Sequence, residues 1–404
     1  MPAARHQAGP PGRGKFVLLG AMSALGSMAV HMFVPAMPFV GQELGASTHL
    51  IQLAISIYLA GLAIGQLSSG FLSDLVGRRP VMLGGIGVFA CGSMLVGAAP
   101  GIVVLLLGRL LQSLGGAALL TTGRAVVMES STPETAHHNM AGLAMIVLIS
   151  PALSPALSGM LIYLIGWRAE FLLLGGIAVV LGVAGARMLH APGGGDTRAA
   201  RAPHMMTWLS LLRNVTFLRL ALANGLLSLC LYTFLAAFPF VLGGSKADPR
   251  ALGLWLVPIA CCAILGARLL RGFRHVEMAQ RTGLGVMVTA IAGLAVFGMT
   301  DHNASPAWVI GPMSLFGLGS GLTGPIAQSR AIASAPQSLG TASSLFGALQ
   351  MGISASGSVI VAAMGIHEIQ RLGLVLLVIG VAGAAAFPGL RAVPHTATNG
   401  GPGK

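Results

Sequence analysis

Gly70-Phe71-Leu72-Ser73-Asp74-Leu75-Val76-Gly77-Arg78-Arg79-Pro80 joins two apolar runs, 50–73 and 80–99. Each run reaches about 20 residues, which at about 1.5 Å per residue crosses the roughly 30 Å hydrocarbon core of a bilayer. Between them, Gly77 allows a tight turn and Asp74 can accept hydrogen bonds at a helix end. Arg78 and Arg79 suit an anionic membrane surface. The stretch therefore reads as a short basic loop between two spanning helices.

The same reading extends along the chain. Apolar runs at 16–40, 50–73, 80–99, 101–127, 140–165, 171–189, 218–242, 251–270, 282–300, 306–329, 339–365 and 370–390 predict an all-α integral membrane protein with twelve transmembrane helices. They do not alternate apolar with polar residues, which excludes a β-barrel. Composition agrees: 55% of the 404 residues are hydrophobic and 8% charged, against roughly 25% charged in a soluble domain. With so little polar surface, lipid has to be the solvent. The 58 glycines suit helices that pack closely.

The longest polar stretch, Arg187 to Arg219, divides the spans six and six, the layout of a transporter built from two repeats around a central site. The expected organisation is a cytoplasmic tail at 1–15, a six-helix half at 16–190, a cytoplasmic linker at 191–216, a second half at 217–391 and a tail at 392–404. Both Gly/Pro-rich tails read as disordered. The run from Phe16 to Val40 is too long for a signal-peptide core and reads as the first span.

The net charge of +13 fits either nucleic acid or cytoplasmic loops. Distribution decides. With the first residue inside, 17 of the 23 Lys and Arg fall in inside segments. Arg168, Lys246, Arg250 and Arg371 fall outside, and Arg109 and Arg124 lie within the fourth span. This positive-inside asymmetry places the protein in the cell inner membrane with both termini cytoplasmic, and it needs no nucleic acid.

The loop from Gly70 to Pro80 resembles the signature loop of the major facilitator superfamily, Gly-x-Leu-x-Asp-x-x-Gly-Arg-Arg. The resemblance implies a cytoplasmic gate of Gly70, Asp74, Gly77, Arg78 and Arg79. Further stretches resemble the Bcr/CflA type of drug exporter within that family. Arg109-Leu-Leu-Gln112-Ser-Leu-Gly115 is similar to its fourth-span motif, with Ser113 in place of a Gly. Arg124 through Glu129 resembles the end of that span and suggests a polar pair of Arg124 and Glu129. Pro151-Ala-Leu-Ser-Pro155-Ala-Leu-Ser-Gly159 resembles the fifth-span antiporter motif, so Pro151, Pro155 and Gly159 are implied to shape that helix and limit proton leak. Gly166-Trp167-Arg168 with Phe171, and Gly340 through Gln350, match the subgroup as well. The resemblance implies a secondary transporter that exports a small organic molecule by proton antiport. It implies no enzyme, no cofactor and a monomer.

One departure matters. His31-Met-Phe-Val-Pro35-Ala-Met-Pro38 aligns with Asp-Met-Tyr-Leu-Pro-Ala-Leu-Pro, so His31 takes the place of an acid implicated in proton coupling. The ten carboxylates, Glu170 among them, read as loop residues or lie within a turn or two of a span end. Deep ionisable groups then reduce to His31, about 13 Å from the outer boundary, and Arg109, about 12 Å from it. An ionisable group at such depth is a functional candidate. His31, Arg109 and Gln112 are therefore expected in a substrate or proton cavity. Lacking a carboxylate, that cavity should accept neutral or anionic cargo, such as a phenicol antibiotic or a siderophore. An importer of the same fold is the alternative, since it would use the same gates. A membrane sensor would need a signalling domain, and the loops are too short for one.

Other patterns carry nothing. Gly9 to Lys15 begins like a phosphate loop, but Phe16 replaces the required Ser or Thr. Gly319-Ser-Gly321-Leu-Thr-Gly324 imitates a dinucleotide fingerprint inside an apolar span, where close helix packing explains it. Cys91, Cys230, Cys261 and Cys262 lie in apolar runs and read as packing residues, without metal spacing.

Overall fold

The computed structural model describes residues 13–188, 204–300, 305–334, 339–364 and 368–387. Those residues form helices α1 (Arg13–Glu43), α2 (Thr48–Val76), α3 (Arg78–Gly97), α4 (Ile102–Glu129), α5 (Pro133–Met188), α6 (His204–Arg213), α7 (Val215–Val241), α8 (Pro249–Leu269), α9 (Val276–Thr300), α10 (Pro306–Ala333), α11 (Leu339–Met364) and α12 (Ile369–Ala386). No strand occurs among the described residues. The expectation of disordered tails at 1–15 and 392–404 lies outside the described residues except at 13–15, which open α1.

Among the described residues eleven continuous helices are long and apolar enough to cross a bilayer, and one counts twice. The apolar part of α5 runs for 47 residues, about 70 Å, or twice the hydrocarbon core. Gly166 breaks it with φ 80° and ψ 162°, values a side chain would resist. The fifth span is therefore 133–165 and the sixth 167–188, which gives twelve. The ends follow local chemistry. Ser47, Asn214 and Asp248 accept the first free amides of α2, α7 and α8, at 3.4, 3.1 and 2.8 Å. Gly77, at φ 96°, closes α2 and opens α3.

Part of 191–216 is a helix, α6, which packs beside α7 and α11 with Leu211 buried.

Small residues hold each group of spans together. On α4, a methyl group at Gly115 would lie 2.4 Å from the Phe89 backbone nitrogen, and one at Gly108 2.9 Å from that of Val96, so α3 and α4 touch backbone to backbone. In the second group Gly321 abuts the Ala263 carbonyl of α8, and Gly319 abuts Met287 and Gly283 of α9. The glycines that imitate a dinucleotide fingerprint thus serve packing.

The halves meet along α2 with α11 and the fifth span with α8. Gly159 lies under the Pro249 carbonyl and Gly253 under that of Pro155. Gln52 donates to the Ala236 carbonyl at 3.2 Å, and Ser56 to that of Ala355. These ties lie toward the end that carries the α1–α2 turn. Outward faces are apolar: Val103, Val180 and Val378 are 66, 67 and 71% exposed. Water would penalise such a belt, whereas lipid accommodates it.

Candidate functional site

The loop between α2 and α3 forms a cluster at one end of the molecule. Arg78 reaches Asp74 at 2.5 Å, one turn earlier on the chain, and Glu129 at the end of α4 at 2.9 Å. It also donates to the Ser73 hydroxyl. Arg79 donates to the Ala186 carbonyl of the sixth span at 2.8 Å. One guanidinium thus ties α2 to α4 and the next ties α3 to the sixth span. Gly70 approaches Ser344 of α11 across the seam, where a methyl would lie 4.0 Å from its hydroxyl.

Glu129 therefore pairs with Arg78 and not with Arg124. The sequence set Arg124 and Glu129 together because both lie at one helix end. Five residues apart, however, they point about 140° away from each other around the axis.

Arg109 lies deep in the first half and is fully buried. Its guanidinium is sandwiched between the rings of Phe33, 4.4 Å away on α1, and Tyr58, 4.0 Å away on α2. It donates to the Ala29 carbonyl at 3.1 Å and to Gln112 Oε1 at 2.8 Å. Gln112 passes the chain on to Ser93 at 2.8 Å, and Ser93 to the Phe89 carbonyl at 2.8 Å. The Tyr58 hydroxyl donates to the Gly26 carbonyl at 2.7 Å. Arg109 and Gln112 thus join α1, α2, α3 and α4 from within. Neither side chain meets solvent in this structure, where both lie packed between helices. Depth along a helix does not fix which way a residue faces.

Arg109 Nε and Nη2 have no hydrogen-bond partner. The opposite charge that acts on Arg109 is one that sequence reasoning missed. Glu170, one turn into the sixth span, is fully buried, and neither carboxyl oxygen has a hydrogen-bond partner. It interacts electrostatically with Arg109 and lies beside Ser158, whose hydroxyl donates to the Met32 carbonyl at 2.7 Å. A signal was present. Trp167, Glu170, Phe171, Leu174 and Ala178 form a buried stripe at helical spacing, and Glu170 lies inside it.

Above Glu170 sits a polar lid. Trp167 Nε1 and Arg168 Nε donate to the two Glu43 oxygens at 2.6 and 2.7 Å. Arg168 also reaches the carbonyls of Gly97 and Ala99, at 3.2 and 2.7 Å. The turn after Gly166 therefore binds the end of α1 to the α3–α4 connection. Trp167 is thereby a buried strut.

His31 lies at the seam between α1 and α7. It is 8% exposed, and its ring centroid is 6.3 Å from that of Tyr232. The Ser27 carbonyl accepts from Nδ1 at 2.8 Å, so that nitrogen holds a proton and a neutral ring leaves Nε2 free to accept. On the fifth span, Pro151 frees the Val147 carbonyl, and the Ser150 hydroxyl donates to it at 2.8 Å. Gly159 and Pro155 sit at the α8 contact described above. Among the described residues no group of three or more His, Cys, Asp or Glu could hold a metal. The four cysteines are unpaired; Cys230 is buried, whereas Cys91 and Cys261 lie on outward faces.

The chain has known relatives. The family model of the Major Facilitator Superfamily matches residues 17–358. The chain belongs to that superfamily. It is 28% identical over 344 residues to the chloramphenicol resistance protein of Pseudomonas aeruginosa, which covers 82% of this chain and 79% of that one. It is 30% identical over 333 residues to the multidrug transporter MdfA of Edwardsiella piscicida, at 81% and 80% coverage. Multidrug resistance protein D of Escherichia coli is 27% identical over 382 residues, at 90% and 92%. The crystal structure of the nucleoside transporter NupG superposes with a TM-score of 0.71 over 92% of this chain and 98% of that one, at 12% identity. That likeness speaks to the fold alone. The protein is a multi-pass membrane transporter, with relatives that confer drug resistance.

Proposed function

We propose that the protein exports a small neutral or anionic organic molecule from the cytoplasm in exchange for protons, with a phenicol-like antibiotic or a siderophore as the cargo class. The observation that carries this reading is the match to chloramphenicol and multidrug resistance proteins over about four-fifths of their length or more. Cargo preference follows from the seam. The ionisable residue that α1 places there is His31, which carries no negative charge, so a permanent cation finds no counter-ion at that position.

In this reading the two halves rock about the seam, in the inner membrane, as a monomer with both termini cytoplasmic. The Asp74, Arg78, Arg79 and Glu129 cluster is the cytoplasmic gate. Its bonds must rearrange as α2 moves against α11. Pro151, Pro155 and Gly159 hold the fifth span against α8 and keep that contact dry.

The test is uptake of labelled chloramphenicol into everted membrane vesicles, with and without an uncoupler, for wild type and His31→Ala. Uncoupler-sensitive uptake supports proton-driven export. Uptake only into right-side-out vesicles would establish import, and efficient export of a quaternary ammonium dye would refute the cargo class.

A further inference from the structure

The Glu170 carboxyl is a problem that the fold has not solved by hydrogen bonding. The neighbouring Ser158 hydroxyl gives its one proton to the Met32 carbonyl, so both oxygens are buried without a donor, and Arg109 keeps two N–H groups without an acceptor. The two side chains interact electrostatically, yet no ion pair or hydrogen bond joins them. An ionised carboxylate left so is costly in a low-dielectric interior, and a structure tolerates it where the group changes state.

Resting on the export reading above, we propose that Glu170 is the intramembrane proton-binding residue of this transporter, with Arg109 as its switched counter-charge, and that it supplies the carboxylate that α1 lacks at His31.

The cycle balances simply. A proton from one face adds to a Glu170 oxygen and forms an O–H bond. Arg109 is then held only by the Phe33 and Tyr58 rings, the Ala29 carbonyl and Gln112. When the proton leaves to the other face, the carboxylate draws the free Nε and Nη2 of Arg109 toward the sixth span. Nothing is oxidised or reduced. Because Arg109 also holds α1 through Ala29 and α2 against Tyr58, its movement is felt by helices that form the seam.

The surrounding charges fit this assignment. From α4 comes Arg109, and from α1 come His31, bonded to Ser27, and Glu43, bonded to Arg168. From α2 comes Tyr58, bonded to Gly26. From α8, Arg250 is occupied by Asp248 and by the Tyr163 ring. Glu43, with half of its side chain exposed, lies about one helical turn above Glu170 through Trp167 and marks the water side.

Infrared difference spectroscopy of the purified protein in nanodiscs tests this without any cargo. Wild type should show a protonated-carboxyl C=O band that disappears as pH rises. That band should be absent in Glu170→Gln and displaced in Glu170→Asp. A band unchanged in both variants, or no titrating band in wild type, overturns the proposal. A second arm measures chloramphenicol accumulation in proteoliposomes driven by an imposed proton gradient. Glu170→Gln should abolish it. If accumulation survives in Glu170→Gln, this assignment fails and the export reading stands. If wild type moves no chloramphenicol at all, the export reading fails, and the infrared result still decides the role of Glu170.

Discussion

Replacing Arg109 by methionine removes the charge but keeps an unbranched apolar stem, and the structure allows its cost to be worked. Two hydrogen bonds from a charged donor are lost, to Ala29 and Gln112, each contributing about 1.5–3 kcal/mol. The contacts with the Phe33 and Tyr58 faces are lost as well, each worth up to about 2 kcal/mol when desolvated. Against this, a guanidinium no longer has to be dehydrated, which offsets several kcal/mol. The net is a loss of about 3–5 kcal/mol, the range seen when one partner of a buried charge pair is removed. Part of that loss is Glu170 left alone, so the double variant Arg109→Met, Glu170→Gln should recover about 1–3 kcal/mol relative to additivity. Reversible unfolding in mixed detergent micelles measures both. A single variant that costs less than about 1 kcal/mol, or singles that simply add, would show that the two charges do not communicate.

Three further outcomes follow from the geometry. Gly115→Val should reduce the yield of folded protein, because its first added carbon would already lie 2.4 Å from the Phe89 nitrogen; overpacking usually costs about 1–3 kcal/mol, and backbone contact puts this site at the upper end, which thermal unfolding reads. Arg78→Ala should leave stability within about 1 kcal/mol, since its ion pairs are partly exposed, while transport slows because α2 and α4 lose their tie. The Arg250 guanidinium beside Asp248 holds its carboxyl below the usual carboxylate range; the α8 cap is therefore fully formed above the ordinary carboxylate pKa and is lost only as pH falls through the depressed value, so proteolysis at 243–248 should accelerate in strong acid and at any pH in Asp248→Ala, which removes the cap oxygen.

The spans were legible because a bilayer imposes one length on every helix, and the run lengths met it from Phe16 onward. The Gly166 break was also legible, since the two apolar runs of α5 leave a short gap with a glycine in it. The loop from Gly70 to Pro80 gave residue types for its cluster but not their partners: Glu129 belongs to Arg78, because pairing depends on which helices adjoin. Nothing in the sequence showed which way Arg109 and Gln112 face. A helix that is apolar all round has no polar face to show where it looks, and only packing against Phe33 and Tyr58 reveals it. Glu170 was hidden by its position near a span end. Distance along the chain made it look solvated, whereas the lid of Glu43, Trp167 and Arg168 closes over it.

Alternation of the connecting loops between two aqueous faces underlies all of this chemistry, and sided labelling reads it directly. In a background with the four native cysteines replaced by serine, single cysteines are placed at the exposed positions His49, Lys246, Pro80 and Arg274 and treated with a membrane-impermeant maleimide. His49→Cys and Lys246→Cys should label in intact spheroplasts, and Pro80→Cys and Arg274→Cys only after permeabilisation. Labelling of all four from one side would contradict a chain that crosses the bilayer between them.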